Sequence, residues 1–458
     1  MGVVQTLLDA LGEDVVTTAP DRLEAMRTDR SGWVAEGSPL ALVEARTVEE
    51  VQEAMRIADA ARTPVVPRGA GTGLAGGAVG TEGSIVVSVE RMNRILEISA
   101  EDEYAVVEPG VITADLNRAL EEHGLWYAPD PVSKNISTIG GNIATNAGGL
   151  VCTKYGVTRE AVLALDVVLP GGTLLRTGRR TIKGVTGYDL TALFVGSEGT
   201  LGIVVGATVR ALPAPKGETM TLGALFSDVK AAASASAAIT AAGLRPSVME
   251  LIDAATLNLI RDYLGHEVFE NLLGTSAGGS YFLVQFDAGT GALAGTRALQ
   301  LVEENGGTGT LSHDPAEAEG LLRIRGSANP ALTAAGTMLV EDVAVPRSRM
   351  PEMFARIEEI ARRHDVRIPT IAHAGDGNLH PTFIFDGPDV PPEVWAAADE
   401  MFEASTEFGG TLTGEHGVGL LKRRWLKGEL GEDSYRLQAE VKAVFDPNGI
   451  MNPGKVFD

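Results

Sequence analysis

Leu7, Leu8 and Leu11 recur at helical spacing ahead of Gly12, which predicts a short helical lead within residues 1–37. Val51, Met55 and Ala58 repeat that spacing, with Thr47 as N-cap and Glu50 three residues on as the other half of a capping box, so 47–62 reads as an amphipathic surface helix. The period then shortens. Residues 64–67, 84–89, 104–112, 161–169 and 173–176 are brief runs rich in Val and Ile, the mark of strands, with a helix predicted over 113–123 from Thr113. Pro213-Ala214-Pro215-Lys216-Gly217 is the clearest linker signal and predicts a domain boundary near 216. Beyond it, 219–226 and 280–287 read as strands and 228–242 as an Ala-rich helix ending at Gly243. Residues 274–280 and 305–310 read as Gly/Ser/Thr-rich loops, and no internal repeat is present.

Composition narrows the class. At 458 residues the chain exceeds one compact core, so two or three domains are expected. The net charge of −23, from 38 basic and 61 acidic residues, disfavours nucleic acid and anionic membrane as partners. A single cysteine, Cys152, excludes an intramolecular disulfide, fits a reducing compartment and is expected to be buried. No apolar run reaches the roughly 18 residues of a spanning helix, and the N-terminus does not look like a secretory signal. A cytoplasmic protein is expected, peripheral to the membrane at most through a partner.

The stretch His373-Ala-Gly-Asp-Gly-Asn-Leu-His380 carries candidate chemistry. Asp376-Gly377 is a hairpin-turn pair, Ile371-Ala372 precedes it and Thr382–Phe385 follows, both readable as strand. With 376–377 as the turn, 375 pairs with 378, 374 with 379 and 373 with 380. The two imidazoles would then be direct cross-strand neighbours, with Cβ atoms roughly 5 Å apart. Such a pair can share one divalent metal. Glu415, in Gly414-Glu415-His416-Gly417, is the best candidate for a third ligand, since His2Glu is a ligand set of catalytic zinc sites with an open position. His416 lies beside that carboxylate and is free to move a proton.

Arg68-Gly-Ala-Gly-Thr-Gly-Leu-Ala-Gly-Gly77 contains Gly71-x-Gly73-x-x-Gly76, formally a dinucleotide fingerprint. Its context differs from the Rossmann form, because a strand and not a helix follows. A glycine-rich loop between two strands still lets several amides approach a pyrophosphate closely. Pro129-Asp130-Pro131 and Ser137–Gly149 form a second stretch, dense in small hydroxyl and amide side chains and nearly free of charge. It can lie flat against a large planar ligand.

These stretches, with Gly187–Leu190, Gly196–Val204 and Phe445-Asp-Pro-Asn-Gly-Ile-Met-Asn-Pro-Gly-Lys455, resemble the vanillyl-alcohol oxidase/p-cresol methylhydroxylase (PCMH) flavoprotein superfamily. Within it the chain is similar, from about residue 38 to the end, to the FAD-linked D-2-hydroxy acid dehydrogenases: D-lactate dehydrogenase, the glycolate oxidase FAD subunit and D-2-hydroxyglutarate dehydrogenase. The resemblance implies an α+β chain. Residues 1–37 are a lead, 38–216 a PCMH-type FAD-binding domain of two subdomains, and 217–458 a ferredoxin-like substrate cap with a C-terminal helical return. It implies that Pro67, Arg68, Gly69, Ala70, Gly71, Thr72, Gly73, Leu74, Gly76 and Gly77 cradle the FAD pyrophosphate. Pro129, Thr138, Gly140, Gly141, Asn142, Thr145, Ala147 and Gly148 would line the pyrophosphate and flavin. Glu198, Gly199 and Ile203 would hold the adenine side, and Asn452 would reach back to the flavin. Some superfamily members attach FAD through a histidine in the first glycine-rich loop; the first histidine here is His123, so non-covalent FAD is expected.

The resemblance further implies that His373, His380 and Glu415 bind zinc or manganese, that His416 is the catalytic acid/base, and that Arg325, five residues before Pro330, pairs with the substrate carboxylate. The expected reaction is oxidation of a small D-2-hydroxy acid to the 2-oxo acid. The onward electron acceptor would be a quinone, an electron-transfer flavoprotein, a cytochrome or a partner subunit, and a homodimer is compatible with this reading. In the hydroxyglutarate enzymes a lysine six residues before a proline helps bind the distal carboxylate, with an asparagine two residues after the second metal histidine. Val340 and Thr382 stand at those positions, which favours a D-lactate-like monoacid. A non-catalytic flavin-binding subunit is the reading of a different class. It gives no reason for the histidine pair.

Overall fold

The computed structural model describes residues 2–274, 279–287 and 291–457. The chain forms two compact units: Met1–Gly149 with Gly156–Ala214 and Glu415–Asp458, and Leu150–Tyr155 with Pro215–Gly414.

The first unit holds two main sheets, each with its own core. In one, Ala41–Glu44, Ile85–Ser88 and Val65–Arg68 run parallel, and Val16–Thr17 adds an antiparallel edge. Parallel strands are covered on both faces, which is why these read as continuous apolar runs. The helix Val48–Ala60 lays Val51, Ala54, Met55 and Ala58 on this sheet, joined by Leu7 and Val15 from the N-terminal lead. Thr47 caps the helix by accepting from the Glu50 amide, but the Glu50 carboxylate reaches the amide of Arg46, not that of Thr47. The other sheet is antiparallel, in the order Ile95–Ser99, Tyr104–Val107, Ile203–Arg210, Val162–Val168, Leu174–Gly178. The strand expected over 104–112 stops at Val107; Pro109 has no amide to continue a ladder. Part of the stretch 137–149 expected to lie flat is a helix, Ile139–Thr145, capped by the Thr138 hydroxyl and ended by left-handed Asn146.

The second unit is built on one eight-stranded sheet. Met220–Phe226, the helix Val229–Ala241, Val248–Ile252, Ser280–Phe286, the helix Gly291–Glu304 and Thr308–Ser312 follow in chain order. Numbered within this unit, the four strands lie in the order 4-1-3-2 and pair antiparallel, the ferredoxin-like arrangement. Thr370–His373, Asn378–Phe385 and Thr337–Val340 extend the sheet from Val248–Ile252, and Val343–Ala344 pairs with Asn378–Phe385. Residues 308–310 of the expected 305–310 loop are strand, because the edge is paired by Met220–Phe226 whatever the local glycine content. Residues 275–278 of the expected 274–280 loop lie outside the described residues. Among the described residues no helix is long and apolar enough to cross a membrane.

The C-terminal segment returns to the first unit. Buried Asp446 accepts from the amides of Ile450 and Met451, which turns the chain so that Val65 donates to the Ile450 carbonyl and Asn452 donates to the Val65 carbonyl. Asn452, 1% exposed with φ +45°, donates its side-chain amide to the carbonyls of Gly77 and Glu198, and its Oδ1 accepts from Lys455 Nζ. Asn452→Ala leaves these partners unmet in a dry interior, at a cost of about 2–4 kcal/mol. The unfolding midpoint of the first unit should fall by several degrees in a calorimetric scan; an unchanged midpoint would remove this clamp from the account.

Candidate functional site

The hairpin forms, in a different register from the one expected. His373 pairs with Asn378, Ala372 with Leu379 and Ile371 with His380. The turn therefore spans four residues, 374–377. Gly375 donates to the Met249 carbonyl of the neighbouring strand, Asp376 and Gly377 both donate to the His373 carbonyl, and the Asp376 carboxylate accepts from the Asn378 amide. Gly377 takes φ +91°, and a Cβ there would lie 2.1 Å from the Val345 carbonyl oxygen. His380 is thus a diagonal neighbour of His373, not its direct partner. Residues 378 and 380 share a face, so the rings still meet, with centroids 5.0 Å apart and planes at 86°.

Behind His373 stands Glu250, directly opposite it on Val248–Ile252. Its Oε1 lies 2.6 Å from His373 Nδ1, and its Oε2 accepts from Arg325 Nε at 2.7 Å. Burial pushes the Glu250 carboxyl up, but the charges and hydrogen bonds of His373 and Arg325 outweigh it and hold the group below the ordinary carboxylate range. Arg325 sits near the end of the helix Pro315–Gly326 and is largely buried, while Arg323 of the same turn is exposed. With Nε engaged by Glu250, the two terminal nitrogens of Arg325 retain the planar pair of donors that a carboxylate takes.

Asp342 fixes the approach to the second motif. Its carboxylate accepts from the Thr413 hydroxyl and, at 2.6 Å, from the Gly414 amide. A Cβ on Gly414 would lie 2.3 Å from Asn378 Oδ1, so any larger residue there would have to displace the side chain of Asn378, the partner of His373. Glu415 follows by one peptide bond. His373, His380 and Glu415 each offer one ligand atom, and these atoms lie within 4.8 Å of one another. Among the described residues Asn378 Oδ1 is buried with no hydrogen-bond partner, which fits a small polar ligand on this face. His416 comes next, half-buried, ahead of the amides of Val418 and Gly419 that donate to the two oxygens of Glu198 at 2.8 Å each.

In the first unit the nucleotide-type residues converge. A Cβ on Gly69 would lie 2.4 Å from Thr138 Oγ1, on Gly199 3.0 Å from Pro67, on Gly77 3.4 Å from Glu198, and on Gly140 2.6 Å from Pro109. Gly148 meets Glu415 in the same way, at 2.4 Å. From Ala70 to Gly77 no amide donates to another described protein atom, so Ala70, Gly71, Thr72, Gly73, Leu74, Gly76 and Gly77 offer the row of donors that a pyrophosphate needs. Arg68 braces this loop through Nη1 to the carbonyls of Thr28 and Ala78, and burial lowers its pKa. Lys455, fully buried, donates to the Val79 carbonyl; burial pulls its pKa down to about 7 and pushes that of Glu198 up to about 7.

Several of the residues expected to line the cofactor also have partners within the protein. Asn142 Nδ2 donates to Thr113, Thr145 Oγ1 to the Gly141 carbonyl, and the Ala147 carbonyl accepts from Thr158. Ile203 belongs to the apolar core of the parallel sheet. Pro129 is buried. Cys152 is half-buried, not buried as expected, because it opens a single-turn helix, Cys152–Tyr155, none of whose residues is buried. Glu250 and Asp342 went unread in the sequence. The signal for Glu250 was a lone carboxylate inside Val-Met-Glu-Leu-Ile; Asp342 offered none beyond its place in the run Val340–Pro346.

Residues 216–456 match the family described as FAD linked oxidases, C-terminal domain, and residues 39–178 match an FAD binding domain family. The glycolate oxidase subunit GlcD of Bacillus subtilis (strain 168) is 43% identical over 443 residues, covering 92% of this chain and 89% of that protein. A D-lactate dehydrogenase of Anaerostipes hadrus is 35% identical over 437 residues, covering 93% and 91%. The solved structure of p-cresol methylhydroxylase with substrate bound aligns with a TM-score of 0.78 at 17% identity, covering 100% of this chain and 96% of that one, which speaks for the fold. The chain therefore belongs to the FAD-linked oxidases, flavin-dependent oxidoreductases in which an FAD-binding domain is followed by the family's own C-terminal domain.

Proposed function

We propose that this oxidoreductase converts a small 2-hydroxy monocarboxylic acid of the D-lactate type to its 2-oxo acid, using non-covalent FAD and a divalent cation, zinc or manganese, and passes electrons to a non-nicotinamide acceptor. The observation that carries this reading is the group His373, His380 and Glu415, with ligand atoms within 4.8 Å of one another. Bound FAD supplies the two-electron sink, and a bound cation supplies Lewis acidity toward the substrate hydroxyl. Arg325 pairs its terminal nitrogens with the substrate carboxylate and sets its orientation. His416 accepts the hydroxyl proton at an imidazole nitrogen, the group suited to that transfer near neutral pH. Val340 and Thr382, the positions that bear on a second carboxylate, are cross-strand partners, and Glu341 beside them is buried. No cation stands among these three side chains to meet a diacid. Glycolate, named in the Bacillus relative, meets the same groups and differs by one methyl.

Four outcomes are expected. Acid or heat denaturation should release intact FAD into the supernatant, since no histidine precedes His123; flavin that stays with the polypeptide contradicts non-covalent binding. Chelation should abolish turnover while leaving the flavin absorption nearly unchanged, and His416→Ala should keep cation and flavin yet lose about 10²–10⁴-fold in kcat. Full activity in metal-free protein would sink the metal reading. With one artificial acceptor, kcat/KM should favour D-lactate, D-2-hydroxybutyrate or glycolate over D-2-hydroxyglutarate; a clear preference for the diacid would overturn the reading of Val340 and Thr382.

A further inference from the structure

Glu250 is 1% exposed in the middle of Val248–Ile252, a strand whose five residues are all buried. Its two oxygens go to two different functional candidates: Oε1 to His373 Nδ1 at 2.6 Å and Oε2 to Arg325 Nε at 2.7 Å. Stability alone gives little reason for such an arrangement, because buried ion pairs are often replaceable by apolar groups at no loss. The chemistry of the donors gives a better one. A carboxylate only accepts, so the hydrogen of a neutral His373 ring must sit on Nδ1. Nε2 then keeps its lone pair, the form a metal requires. The same carboxylate fixes one edge of the Arg325 plane and leaves the other edge for a substrate.

We propose that Glu250 is a positioning residue that serves both halves of the site at once: it holds His373 in the metal-binding tautomer and aims Arg325 at the substrate carboxylate. This inference rests on the cation-dependent reading above and adds to it a single anchor shared by cation and substrate. In Glu250→Gln the side chain keeps its shape but presents one acceptor and one donor. One of its two partners then faces an N–H, and the His373 ring can turn to the other tautomer.

The test is calorimetric titration of metal-stripped flavoprotein with Zn2+ and with Mn2+, for the wild type and Glu250→Gln, with flavin content and a cooperative melt as folding controls. The variant should bind either cation about 10- to 100-fold more weakly, the usual effect of losing an outer-shell partner. At saturating cation it should also show a raised KM for D-lactate with a smaller change in kcat, reporting the Arg325 arm. Wild-type cation affinity and KM in a folded variant overturn the role of Glu250 and leave the metal reading intact. A wild-type protein that binds neither cation overturns the metal reading, and this inference with it. If the variant does not fold, nitrogen-15 histidine spectra of the metal-free wild type decide: protonated Nδ1 on His373 is expected, and a hydrogen on Nε2 overturns the proposal.

Discussion

A carboxylate in the interior of a sheet is tolerated only where both oxygens are met, and Glu250 imposes that condition on the second unit. Removing one partner of such a buried pair costs on the order of 3–5 kcal/mol, because an uncompensated charge is left behind. The condition reaches well beyond the pair. It locks Thr370–His373 in register, with Glu250 opposite His373 and Leu251 opposite Ala372. A slip of one residue would turn every side chain to the other face, placing the imidazole among apolar neighbours and leaving the carboxylate alone. It also ties the last turn of the helix Pro315–Gly326 to the sheet through Arg325. The histidine pair, the hairpin and the arginine therefore share one electrostatic anchor.

The same device recurs along the chain. Asp342 holds Thr413 and Gly414, Glu198 holds Val418 and Gly419, and Asp446 holds Ile450 and Met451. Each is a buried acid whose oxygens accept from main-chain or hydroxyl donors in a segment without regular structure. The motif Gly414–Gly417 runs between the first two of these. A loop fixed by ionic hydrogen bonds at both ends loses less entropy when a ligand binds than one that must be ordered.

Much of this was legible in the residues. Thr47 and the Val/Ile runs announced helices and strands through local chemistry, and the histidine pair announced itself by composition within a turn. The hairpin register was not legible. The Asp-Gly rule sees only the turn's own φ preferences, whereas the turn is set by Gly375 bonding to Met249, more than a hundred residues away. The strand at Thr308–Ser312 was missed for the same reason: its glycines argue for a loop, and only the partner strand argues otherwise. Glu250 stood in plain view, but an isolated carboxylate in an apolar strand has no meaning until its two partners are brought opposite it. The glycine-rich loop differs, since its open amides depend on a backbone conformation that glycine itself permits, and those glycines are visible in the sequence.

The charge of the whole chain sharpens what the site must contain. At −23 the protein repels an anionic substrate at long range, though solvent ions screen that field within roughly 8 Å at physiological salt. Recognition therefore falls to local groups. Beside the histidine pair, Glu250 stands opposite His373 and takes the Arg325 guanidinium, and Glu341 and Asp342 follow Val340 in the strand pair that carries His380. Glu250 is itself spent on neutralising Arg325. An acid substrate entering such an environment would meet a net negative charge and a desolvation cost of several kcal/mol. On the proposed reading, a divalent cation held by His373, His380 and Glu415 would reverse the sign of that environment, at the point where the hydroxyl beside the carboxylate gives up a proton. On that reading the acidic side chains, which would oppose a purely organic site for a hydroxy acid, are the charge that a metal-assisted one would use.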